Sequence, residues 1–301
     1  MDPAWGGGIA DRAGTVFSFI DLAIIAELSK ANIFYANNEF CFSDRGTKMP
    51  GKQYAFRAST DKIQHWRALG LDVAGLANNH VFDYGLDAFM DTLDTLHSAG
   101  IKTIGAGRNL AEAMAPAIFD FGDYKVAFVA GTRAEKVMLT PAATHNSPGV
   151  LRIYDPSDFI TAVKAAKQQA DFVIAIPHWG TEMTTTLEQV QIDLGRALIN
   201  AGADAVIGAH PHVLQGLDYY NDKLIAYSLG NFWFNSEYVE SMILKLTITA
   251  GKPQFSIIPT KMAGEKMIIS AENDASVFQL LRSLSPNITI DEKGNISQRG
   301  D

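Results

Sequence analysis

The chain has 301 residues, 47% of them hydrophobic and 19% charged, which suits one large core with a small appendage and excludes a disordered or fibrous chain. Its 33 acidic residues against 25 basic ones leave a net charge of -8, and the Lys and Arg residues form no cluster, which argues against a nucleic-acid partner. The single cysteine, Cys41, excludes an intrachain disulfide and a cysteine-rich zinc site, and no apolar run approaches the ~20 residues of a membrane span.

In chain order, apolar residues at helical spacing predict a helix over 16–28, feeding a strand over 33–36. The turn formers of 41–52 read as a surface excursion, with Cys41 packed in the core. A helix over 61–69, a strand over 72–77, a helix over 86–98 stopped by Gly100, and a strand through Thr103 and Ile104 follow. Residues 117–121 and 125–129 read as a hairpin about Gly122-Asp123, so the sheet is mixed. A long loop over 131–148 precedes a helix over 157–170, a strand over 172–176, a helix over 186–201 closed by Gly202, and a strand over 205–208. A second hairpin pairs 213–217 with 224–228 around Asn221-Asp222. Strands over 242–248 and 255–259 finish the sheet, and a short helix over 275–284 lies behind it. The whole reads as one domain over 1–301, with 262–301 a C-terminal helical appendage and tail.

Four of the seven histidines stand just past the ends of apolar strands, in Asn78-Asn79-His80, His178-Trp179-Gly180 and His210-Pro211-His212. Open α/β sheets bind ligands at that rim. Unrelated core histidines have no reason to fall at three successive strand ends, so the pattern points to a metal centre. Glu39 follows the first strand, and with Asn79, His178, His210 and His212 it offers mixed nitrogen and oxygen ligands suited to Zn, Mn, Fe or Mg. A carboxylate between two cations about 3.5–4 Å apart is the usual bridge of a two-metal hydrolytic site. His80, with Asp83 three residues on, suits a general acid oriented by a carboxylate. His65, His97 and His145 read as structural or surface residues.

The segments LANNHVFDYG (76–85), GAGRNLAEA (105–113), HWGTE (178–182), AGADAVIGAHPHVLQG (201–216) and YSLGNF (227–232) resemble the CapA family, the poly-γ-glutamate capsule synthesis group, over about residues 31–259. That family is similar to the calcineurin-like metallophosphoesterases. The resemblance implies an α/β sandwich of two mixed β-sheets flanked by helices. It also implies Glu39 as bridging acid, Asn79, His178 and His210 as ligands of one metal, His212 as a ligand of the other, and His80 as the acid that protonates a leaving group. Arg57 and Asn231 become candidate substrate contacts. Family members open with an apolar strand ending in Gly-Asp, whose aspartate is a ligand. This sequence starts Met1-Asp2-Pro3-Ala4, and Asp2 and Asp11 lie in a Gly-rich context, so the expectation is either a start of the chain lost or misassigned, or a fold that lacks its first strand and one metal ligand.

Two functions follow from the resemblance. One is a metal-dependent hydrolase of a phosphoester or amide-type bond, acting on a small molecule or a polyanionic polymer. The other is a non-catalytic component of a poly-γ-glutamate synthesis or export assembly, partnered by other capsule synthesis proteins. Either implies the extracellular face of a bacterial cell, reached through a leader or anchor outside this sequence.

Overall fold

The structure, a computed structural model, describes residues 16–134, 138–233, 240–263, 266–269 and 276–299. Asp2, Asp11 and the expectation of a missing first strand lie outside the described residues. The expected helix over 16–28 is broken. A 3-10 turn at Val16–Ser18 gives way to an extended stretch in which the Phe19 carbonyl and Asp21 N–H bond to Met267, and α1 (Leu22–Leu28) starts where Asp21 caps it, accepting the Ala23 N–H at 2.9 Å.

Next come β1 (Tyr35–Asn37), β2 (Cys41–Phe42) and β3 (Arg57–Ala58). β2 pairs with β3, so the expected surface excursion begins and ends inside: Cys41, Phe42 and Lys52 are buried. The helices α2 (Ile63–Leu69), α3 (Gly85–Ser98) and α4 (Leu110–Met114) are interleaved with β4 (Val73–Gly75), β5 (Lys102–Ile104) and β6 (Ala106–Gly107). The hairpin of β7 (Ala117–Asp120) and β8 (Lys125–Thr132) forms as expected. Then follow β9 (Gly149–Val150), α5 (Ser157–Lys167), β10 (Phe172–His178), α6 (Gln189–Ala201) and β11 (Ala205–Ile207).

The second hairpin turns at Asn221-Asp222 as expected, with φ of 49° and 60°. Its strands are β12 (Leu217–Tyr220) and β13 (Lys223–Ala226), because a two-residue turn sets Tyr220 opposite Lys223 and zips residues that a longer loop would have left unpaired. The last strands are β14 (Glu240–Thr249), β15 (Lys252–Ala263), β16 (Lys266–Ile269), β17 (Ile288–Ile290) and β18 (Asn295–Gln298), with α7 (Ser276–Leu284) between β16 and β17; Ala275 lies outside the described residues. These strands do not finish the main sheet. They form a separate antiparallel sheet in the order β14-β15-β18-β17, with β16 also on β15.

Two sheets carry the site. The smaller is parallel, β1-β4-β5, and the larger is mixed, β12-β13-β11-β10-β8-β7. Alternation along each strand sorts the side chains into layers. Val126 and Phe128 of β8 and Ile174 and Ile176 of β10 pack with Val73 and Ile104 of the smaller sheet, forming the inter-sheet core. Ala127, Val129, Val173 and Ala175 face the other way, against Phe159 and Val163 of α5 and Leu194 and Leu198 of α6. The far side of the smaller sheet, through Ala74 and Leu76, packs on Trp66, Phe89 and Leu93 of α2 and α3. This is the two-sheet, helix-flanked α/β arrangement that the resemblance implied, with the smaller sheet parallel rather than mixed. All seven residues of β10 are buried, as expected of a central parallel strand, and the strand ends at His178.

Candidate metal centre

The carboxyl ends of the central strands bring the predicted ligands together. Backbone bonds from Ala209 N–H to the Pro177 carbonyl (3.1 Å) and from Trp179 N–H to the Ala209 carbonyl (3.0 Å) fasten the loop after β11 to the end of β10. Buried Trp179 pins the same junction, its Nε1 donating to the Tyr227 carbonyl at 3.0 Å. Gly208 is required there, since a Cβ at that position would lie 2.0 Å from the Tyr227 oxygen and 2.4 Å from Trp179 Nε1. His178 and His210 therefore sit with ring centres 4.7 Å apart, and His212 follows 6.2 Å from His210. His210 and His212 hold φ of 104° and 59°, a strained backbone of the kind found at functional sites.

From the smaller sheet, Glu39 and Asn79 approach the same point. Glu39 Oε1 lies 3.3 Å from His178 Nε2, and Asn79 Oδ1 lies 2.9 Å from that nitrogen. Buried Asn78 supports this loop, its Nδ2 donating to the Asn38 carbonyl at 2.9 Å and its Oδ1 accepting the His80 N–H at 3.0 Å. His80 Nδ1 lies 2.7 Å from Asp83 Oδ2, and Asp83 Oδ1 forms an ion pair with Lys52 Nζ at 3.0 Å. Lys52 also donates to the Asn79 carbonyl.

Charge and burial fit a cation. Burial disfavours the Glu39 carboxylate, yet nearby positive charge, His212 and His178 foremost when protonated, more than offsets this and holds its carboxyl at about 2. Burial drives the His178 imidazole well below its ordinary range and lowers His210 as well. Two buried atoms in the cluster, Glu39 Oε1 and His210 Nδ1, make no hydrogen bond. An ionised carboxylate beside neutral imidazoles, with no hydrogen bond at Glu39 Oε1 or His210 Nδ1, is what a divalent cation takes up. Glu39, His178 and His210 form one such group, and Glu182, His210 and His212 form a second, each with its candidate ligand atoms within 4.8 Å of one another.

Of the remaining predicted residues, Asn231 is buried and its Oδ1 lies 2.8 Å from His212 Nδ1. Arg57 is engaged elsewhere, its guanidinium 4.2 Å over the Tyr84 ring and its Nη1 donating to the Arg45 carbonyl at 3.2 Å. His65 is buried, His97 Nε2 lies 2.8 Å from Thr103 Oγ1, and exposed His145 lies beside Asn146. Sequence reasoning missed three groups. Asn37 at the end of β1 lies 3.4 Å from His178 Nδ1, Lys52 holds Asp83, and Glu182 Oε1 lies 4.0 Å from His210 Nε2. Glu182 closes the HWGTE segment, which was the one available signal for it.

Fold and site together define an α/β sandwich whose strand ends carry a His/Glu cluster compatible with a divalent metal. The chain belongs to the bacterial capsule synthesis protein family PGA_cap, whose model matches residues 10–236. It is 34% identical to the "PGA biosynthesis protein CapA" of Bacillus subtilis (strain 168) over 189 residues, which is 62% of this chain and 49% of that protein. It is 30% identical to a "Probable polyglutamine synthesis accessory protein" of Mycobacterium tuberculosis over 215 residues, 69% of this chain and 57% of the relative. The chain thus spans about half the length of these curated relatives. Among solved structures it is similar to a hypothetical protein from Thermus thermophilus (14% identity, TM-score 0.49, 81% of this chain and 96% of that one). It is also similar to the NAD nucleotidase of Haemophilus influenzae (13% identity, TM-score 0.38, 80% and 41%). No helix among the described residues is long and apolar enough to cross a membrane.

Proposed function

We propose that this chain is a metal-dependent hydrolase of a phosphoester or amide-type bond in poly-γ-glutamate capsule metabolism, with a dinuclear centre. The observation that carries the reading is that two buried atoms of the His/Glu cluster, Glu39 Oε1 and His210 Nδ1, make no hydrogen bond. Glu39, Asn79, His178, His210 and His212 would hold the metal, which when bound supplies Lewis-acid polarisation of the scissile group and activation of water.

The chain's own residues supply proton handling and placement. Asp83 receives His80 Nδ1, so Nε2 is the nitrogen left to deliver a proton to the departing oxygen or nitrogen as water adds and the scissile bond breaks. The ion pair with Lys52 and the Phe56 N–H, 2.8 Å from Asp83 Oδ2, hold that carboxylate in place. Asn231 Oδ1 at 2.8 Å from His212 Nδ1 would orient that ring and leave Nε2 as its ligand nitrogen. A net charge of -8 would repel a polyanionic polymer overall, and a local cationic metal cluster would offset that repulsion.

A second reading, a non-catalytic part of a polymer synthesis or export assembly, is favoured by the relatives' names, which describe a biosynthesis protein and an accessory protein. Metal analysis of purified protein, coupled to phosphodiesterase and γ-glutamyl hydrolysis assays of wild type and His210→Ala, separates the two. The hydrolase reading expects bound metal and turnover in the wild type, both lost in the variant. Metal without turnover on either substrate class supports the assembly component, and absence of metal with the fold intact removes the hydrolase.

A further inference from the structure

The HWGTE segment ends in a loop between β10 and α6 whose conformation is fixed from several sides. Thr181 Oγ1 donates to Glu188 Oε1 at 2.6 Å, and Gln191 Nε2 donates to Gln215 Oε1 at 2.9 Å while Gln215 Nε2 reaches the Thr184 carbonyl at 3.0 Å. Met183, at a φ of 57°, donates its N–H to the Pro211 carbonyl at 2.9 Å, tying this loop to the His210-Pro211-His212 turn. The consequence is to hold Glu182 against that turn.

Glu182 Oε1 stands 4.0 Å from His210 Nε2. That is too long for a hydrogen bond. It matches two ligand atoms on either side of one cation, since metal–nitrogen and metal–oxygen bonds of about 2.0–2.2 Å place such atoms roughly 3.4–4.4 Å apart. His212 completes the group, with the three candidate atoms within 4.8 Å of one another, and His210 is shared with the group of Glu39 and His178. Glu39 lies at the buried end of the cluster and Glu182 at its exposed end, with its side chain half exposed.

We infer that Glu182 is a ligand of the outer of two metal sites, supplying from a clamped loop the carboxylate that His210 and His212 lack. The inference rests on the metal-centre reading of the proposed function and adds to it a ligand outside the strand-end set. A carboxylate at the solvent side makes the outer site the exchangeable one, open to an anionic group of the substrate, while Glu39, Asn79, His178 and the shared His210 hold the inner site.

The test is Mn²⁺ binding to the chelator-stripped protein, counted by the loss of the free-ion electron paramagnetic resonance signal, for wild type, Glu182→Gln and His212→Ala, with circular dichroism confirming the fold of each. The wild type should bind two ions. Glu182→Gln and His212→Ala should each retain the inner ion and bind the outer one more than about 100-fold more weakly, beyond the roughly 10–100-fold that the loss of an outer-shell partner costs. A second ion that Glu182→Gln holds with a loss of about 100-fold or less would overturn the inference and leave the metal-centre reading standing. A wild type that binds a single ion also overturns it, and one that binds none overturns both.

Discussion

His80 and Asp83 are joined at 2.7 Å, Nδ1 to Oδ2, inside a pocket where Asp83 is wholly buried and its other oxygen meets Lys52 Nζ at 3.0 Å. The arrangement orients one imidazole and keeps an anion in the interior with a cation to match it. Removing one partner of a buried pair costs more than the pair itself contributes.

Lys52→Met therefore leaves Asp83 unpaired and should destabilise the protein by about 3–5 kcal/mol in urea unfolding. Lys52→Met combined with Asp83→Asn should recover part of that loss. A Lys52→Met protein as stable as wild type would show that the pair does not form.

Asp83→Asn keeps the shape and removes the charge that fixes His80. If His80 delivers the leaving-group proton, turnover should fall by about 10²–10⁴-fold for an alkyl leaving group, the range of general acid catalysis. It should fall far less for p-nitrophenolate, which departs without protonation. Equal losses for both would assign Asp83 a purely structural part.

Metal-free stability should depend on pH in a defined direction. Burial pushes His178 and His210 below the ordinary 6.5, so between the native and unfolded values only the unfolded chain takes up the proton. Their contribution is complete above about 6.5 and is lost as pH falls, at up to about 1.4 kcal/mol per pH unit for each imidazole. Glu39, held at about 2 against an ordinary 4.5, adds a further loss below 4.5. Urea midpoints of chelated protein should fall between pH 7 and pH 5, and His178→Gln should flatten the curve. A flat wild-type profile over that range would contradict the burial of these rings.

Cys41 should be inert in the native protein. Burial, with Asp83 nearby, pushes its thiol up to about 12, and Sγ donates to the Val81 carbonyl at 3.1 Å. At pH 8 the thiolate fraction is then on the order of 10⁻⁴, so a disulfide reagent should find no reactive thiol until urea unfolds the chain and releases one equivalent.

The strand-end histidines were legible in the sequence because the strands that carry them are continuous apolar runs, and such runs stop where the sheet meets its rim. His178 after Phe172–Pro177 is the clearest case. Glu182 was not legible as a site residue, since it lies on a loop without period and its position depends on side-chain clamps such as Gln191 to Gln215. Lys52 was hidden because lysine is so seldom buried that composition places it outside. The closing antiparallel sheet escaped because its pairing partners, such as Phe255 and Ile296, are distant in sequence and β17 and β18 are only three and four residues long. The helix over 16–28 failed because its break depends on Met267, which no local pattern reveals.

The most direct test of the metal centre is a crystal of the protein equilibrated with zinc, with diffraction recorded on both sides of the zinc absorption edge. The account predicts an anomalous peak about 2.0–2.2 Å from Glu39 Oε1 and from nitrogens of His178 and His210. Ordered side chains at these residues with no anomalous peak among them would contradict it.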